Sequence, residues 1–119
     1  MQLKEAVATI TKATAQVNEI FAGAMTAQTF NQATRWVNTK EEHCAKIITL
    51  VGEYCLCQRV KPLGDPKTPF KSEDEFVEAL KAHHAVMTSA MKAKQSTDAA
   101  APAALDAAVD LMSKMYLPK

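Results

Sequence analysis

Two adjacent histidines, His83 and His84, and three cysteines, Cys44, Cys55 and Cys57, are the side chains of this chain best able to hold a metal or act as nucleophiles. Ligands on one helix reach a common ion when they repeat at three or four residues. Neighbouring positions point about 100° apart, so His83 and His84 do not converge, and no acid stands three residues before either. Cys55 and Cys57 form a C-x-C without the two-residue spacer of zinc knuckles and thioredoxin-like motifs. Cys44 and Cys55 share a helix face but lie about 16 Å apart by helix rise. His43 points away from its neighbour Cys44, and a cross-helix site with Cys57 has no further support in the spacing. The spacing therefore predicts thiols that fill core space, with His83 on an apolar stripe and His84 at its edge.

The remaining chemistry is thinner. Glu73, Asp74, Glu75 and Glu78 cluster where a helix start already accounts for them, through capping and the helix dipole. Glu19 and Glu53 are isolated mid-helix acids. Gly23, Gly52 and Gly64 stand alone and make no phosphate-cradling loop, and neither G-x-S-x-G nor H-E-x-x-H occurs. The expectation is that the chain is not an enzyme and carries no cofactor. A metal-dependent helical-bundle enzyme using His83, His84 and Glu53 is the third of three readings.

Charge gives the second. Lys and Arg number 14 against 13 Asp and Glu, so the whole molecule carries no field that attracts nucleic acid or an anionic membrane. Locally, Arg59, Lys61, Lys67 and Lys71 stand against Asp65 alone, and Lys92 and Lys94 join them if the fold brings the two groups together. Such a patch suits phosphate backbone, with Trp36 and Phe70 stacking on bases, as in a nucleic-acid-binding small subunit.

The elements that carry these residues are all helices. Leu3, Val7, Ile10, Thr14, Val17, Phe21 and Ala24 alternate at steps of four and three, predicting a helix from residue 3 to about 23. Thr29-x-x-Gln32, Thr39-x-x-Glu42 and Ser72-x-x-Glu75 each read as a capping box, so Thr26 or Thr29 restarts the chain, a short helix spans about 27–38 and a long one about 40–60. Residues 61–71, with three of the five prolines, form the main loop. Ser72 opens a helix whose stripe is Phe76, Leu80, His83, Met87 and Met91, with Phe70 folding back toward Phe76. Pro102 opens the last helix and Pro118 stops it. The expected fold class is all-α, an antiparallel helical bundle of four main helices plus one short helix.

At 119 residues, with 48% apolar and 23% charged side chains, the chain makes one domain, 1–119, with a core of its own. The odd thiol count and the absence of a secretory pattern suit the cytoplasm or another reducing intracellular compartment. No stretch approaches the roughly 18 continuous apolar residues of a membrane span. Apolar surface wider than one stripe predicts a protein partner, either a second copy or another chain. The first reading is thus a noncatalytic interaction module, self-assembling or an accessory subunit of a larger complex, with Trp36, Leu50, Leu56, Leu111 and Met115 as its contacts.

Overall fold

A computed structural model describes residues 2–116, and among these every regular element is helical. Helix α1 is Gln2–Ala22, α2 is Ala27–Thr49, a π-helical segment is Leu50–Leu56, α3 is the single turn Cys57–Arg59, α4 is Glu73–Gln95 and α5 is Ala100–Ser113, followed by a 3-10 turn at Lys114–Tyr116. Contacts run α1 to α2, α2 to α4, α4 to α5 and α5 back to α1, which closes a four-cornered bundle. Cross-helix pairs set the directions. Lys4 at the start of α1 pairs with Asp106 and Asp110 late in α5, and Asn18 Nδ2 near its end donates to the Thr97 carbonyl just before α5 (2.7 Å). Lys40 on α2 reaches the end of α4, whereas Gly52 lies against Met87 further back along it. Both pairs are antiparallel, and the all-α bundle expected from the periodicity is the fold observed.

The boundary expected at Asn38–Thr39 does not exist. Thr39 is mid-helix, its hydroxyl donating back to the Arg35 carbonyl (3.0 Å), so the expected short helix is the first half of a continuous rod from Ala27 to Arg59. The start is the expected one, and of the two threonines Thr26 is the N-cap, accepting from the Thr29 amide (3.1 Å) while the Thr29 hydroxyl accepts from the Thr26 amide (2.7 Å). A threonine at the third position closes the box as well as a Gln or Glu does, because its hydroxyl also accepts. Ser72 caps α4 as expected, receiving the Glu75 amide at 3.2 Å. Pro102 falls in the first turn of α5 rather than at its opening, after a turn in which the Asp98 carboxylate accepts from the Ala100 amide (2.9 Å). The expected stop at Pro118 lies outside the described residues.

The core is Leu3, Val7, Ile10, Cys44, Ile47, Val51, Val86, Leu105, Val109 and Met112, with alanines between them. On α4 the buried face is Ala79, Ala82, His83, Val86, Ala90 and Ala93, one step round from the expected stripe. Leu80 and Met91 stay exposed. Small side chains let the helix approach its neighbours closely, and close packing along the whole face outweighs burial of two larger residues held further out.

One charged side chain sits in this core. Lys40 is only 3% exposed, and its ammonium donates to the carbonyls of Ala93 (3.1 Å), Lys94 (2.7 Å) and Ser96 (2.9 Å). These are carbonyls at the end of α4, which its own helix leaves without amide partners. A cation is the preferred cap at that end of the dipole. Lys40→Met keeps the stem but strands the carbonyls, and is expected to lower unfolding free energy by on the order of 3 kcal/mol. Urea denaturation measures it, and an unchanged midpoint would refute this role for Lys40.

Candidate functional site

The loop end of the bundle is where polar side chains gather, and the π segment is what turns them there. In it the Cys57 amide reaches the Gly52 carbonyl, five residues back, and the Val60 amide reaches that of Cys55 (3.2 Å). The turn is therefore wider than that of an α-helix, a geometry frequent at functional sites. Gly52 fits at its crowded side, since a Cβ there would lie 3.2 Å from the Met87 methyl. Side chains five apart now share a face. Arg59 donates to the Tyr54 hydroxyl (2.6 Å) and stacks over its ring at 5.1 Å, which fixes the guanidinium.

Cys55, buried on the same segment, lies beside Tyr116, whose hydroxyl lies 2.5 Å from His83 Nε2. His83 Nδ1 is 2.7 Å from the Ala79 carbonyl, which only accepts, so Nδ1 carries the proton of the neutral ring. Tyr116 then donates to Nε2, with the Cys55 thiol beside it. All three groups are held neutral by the same cause. Burial lowers the His83 pKa, and it raises those of Cys55 and Tyr116.

Beside this network opens a cavity of about 950 Å³, with Arg59, Lys61, Lys67, Lys71 and Lys114 on its walls against Asp74, Glu75 and Glu78, a local excess of two positive charges. Apolar wall comes from Val60, Phe70, Leu111 and Met115. The loop is built to hold its lysines. The Asp65 carboxylate accepts from the Lys67 amide (2.8 Å), the Thr68 hydroxyl donates to the Lys61 carbonyl (2.7 Å), and Phe70 packs on Phe76 with ring centres 5.9 Å apart. Among the described residues no carboxylate lies within ion-pairing distance of Lys61, Lys67, Lys71 or Lys114.

The structure separates residues that the sequence grouped. Lys92 and Lys94 stand at the far end of α4, about 30 Å of helix from its start, so the six cations do not form one patch. Of the expected contact residues, Trp36, Leu50 and Leu56 are half-buried in the bundle, and Lys12 lies over the Trp36 ring at 5.7 Å. Leu111 and Met115 are exposed and line the cavity. His83, His84 and Glu53 do not converge: His83 is 1% exposed and bonded through both ring nitrogens, while His84 and Glu53 face outward. Cys44 and Cys55 are buried as expected, but Cys57 is exposed.

A model of the nickel-containing superoxide dismutase family matches residues 1–119, the whole chain. The chain belongs to the nickel-containing superoxide dismutase family. Neither a curated protein nor a solved structure matches it. Membership of an enzyme family overturns the reading of the chain as a noncatalytic interaction module or accessory complex subunit, and with it the expectation that it is not an enzyme. No helix among the described residues is long and apolar enough to cross a membrane. The nickel that the family name implies does not fit the donors present, since no three His, Cys, Asp or Glu side chains converge among the described residues.

Sequence reasoning missed Tyr54, Lys114 and Tyr116. Tyr54 escaped because its partner is five residues away, a step that pairs side chains only in a π-helix. Nothing in sequence links Tyr116 to His83, 33 residues earlier. The network sets a pH dependence. The unfolded state of His83 takes up a proton near pH 6.5 and the folded state only at lower pH, so the stability it contributes is complete above that value and is lost as pH falls below it. Denaturation midpoints of the parent and of His83→Gln, compared between pH 7.5 and 5, are expected to converge toward the acid side. A constant gap would contradict the assignment of a neutral, buried ring.

Proposed function

We propose that this chain is the helical body of a superoxide dismutase, and that the cationic cavity at its loop end draws the substrate in. Family membership over all 119 residues is the observation that carries this reading. Superoxide dismutation converts two superoxide anions and two protons to dioxygen and hydrogen peroxide. The substrate is a small anion that arrives by diffusion. A concave surface with excess positive charge and apolar walls concentrates such an anion, because field lines focus in a cleft with low-dielectric sides. The five cations supply that field, and the neutral Cys55–Tyr116–His83 network beside them adds no negative charge to oppose it.

Self-association is part of this reading. Phe21, Met25 and Phe30, exposed around the α1–α2 connection and outside the cavity lining, are apolar surface that a second copy can cover. A mass above that of the 13.0 kDa monomer, unchanged between low and high salt, is expected by light scattering. The three free thiols favour a reducing compartment for the enzyme.

The test is the rate of superoxide removal by the protein in the form its source cell makes, with the metal it carries. Activity is expected, slowing on the order of tenfold as ionic strength rises and the cavity's field is screened. Lys67→Glu with Lys71→Glu should lower the rate at low salt and flatten its salt dependence. Absence of superoxide removal rules the reading out, and activity indifferent to both salt and these substitutions removes the role given to the cavity.

A further inference from the structure

We infer that residues 2–116 assemble no nickel site of their own, so that a nickel ion serving this chain takes donors from outside them. A nickel ion needs several nitrogen, sulfur or oxygen donors at one point, each about 2 Å from the metal and deprotonated where it binds. Each candidate here is committed elsewhere or alone. Cys44 is fully buried within the apolar core, where burial pushes its thiol up to about 11, and Lys40 and Lys94 bring positive charge toward it. Those lysines favour a thiolate but repel a metal cation.

Cys55 is buried beside Tyr116, His83 Nε2 accepts from the Tyr116 hydroxyl and Nδ1 faces the Ala79 carbonyl, so that ring has no free lone pair. His43 Nδ1 donates to the Thr39 carbonyl at 2.8 Å, which leaves Nε2 its lone pair, but among the described residues this nitrogen belongs to no group of three donors. His84 and Cys57 are exposed and free to bind. On α4, however, His84 has Leu80, Lys81, Met87 and Thr88 at three- and four-residue steps, so the helix offers it no second donor. No three donors converge among the described residues, for these reasons of placement.

The inference concerns the metal alone and stands apart from the proposed activity. The experiment mixes the reduced 119-residue chain with nickel(II) sulfate, removes free metal by gel filtration, and measures nickel per chain together with the sulfur-to-nickel absorption bands. The expected result is no retained nickel and no such bands. One retained nickel per chain, lost in Cys57→Ser or His84→Ala, overturns the inference and leaves the dismutase reading intact. An inactive source-cell protein, with this chain free of nickel, removes the dismutase reading and leaves the inference standing.

Discussion

The bundle depends on a lysine whose ammonium is held by backbone carbonyls. Lys40 stands on the buried stripe of α2, four residues after Trp36 and four before Cys44, and its ammonium is satisfied by three carbonyls at the end of α4. Taking an ammonium out of water is costly, and the cost is offset only when its protons find well-placed acceptors. Here the acceptors are themselves deficient, because a helix end leaves its last carbonyls unpaired. Each defect cancels the other, and neither can be cured by sliding one helix along its neighbour. An apolar stripe alone would tolerate a slip of one turn with modest loss. Three directed bonds would not, so Lys40 fixes the register of α2 against α4 in a way that alanine packing does not.

That register is felt at the opposite end. With Lys40 at the end of α4, the π segment of the same rod comes alongside the middle of α4, where Gly52 meets Met87 and Cys55 lies beside the Tyr116 that bonds His83. Ion pairs contribute little to this. Lys4 with Asp106 and Asp110, and Lys81 with Glu78, are exposed contacts whose attraction water and salt largely screen. The order of the site therefore comes from packing and from directed hydrogen bonds, the one from His83 to the Ala79 carbonyl being buried.

Much of the fold was legible because helix starts and apolar periods are local signals. The stripe from Leu3 to Val17, the Ser72 cap and the Phe70–Phe76 contact all follow from residues close in sequence. Two local signals misled. Thr39-x-x-Glu42 looks like a cap, yet a threonine hydroxyl can equally bond one turn back inside a helix. Leu80 and Met91 look like a core face, yet the alanine face packs closer. Lys40 could have been found, since a lone charge on an apolar stripe must have a buried partner, although its partner is backbone and leaves no mark in composition. The site was harder to read, because π spacing breaks the 3.6-residue rule and Tyr116 reaches His83 only through tertiary structure.

Charge at the loop end needs a different argument from the charge of the chain. Fourteen basic against thirteen acidic residues give a nearly neutral molecule, and the sequence excludes a global field correctly. Steering depends on where charges sit relative to a concave surface, and the fold sends two of the expected basic residues, Lys92 and Lys94, away while adding Lys114 from the far end of the chain. At physiological ionic strength a charge is screened over about 8 Å, so Lys92 and Lys94 contribute nothing at the cavity. What remains is a short-range field, set by a loop that its own Asp65 and Thr68 hydrogen bonds keep in shape. A diffusing anion feels such a field only in its final approach, where orientation and local concentration are decided.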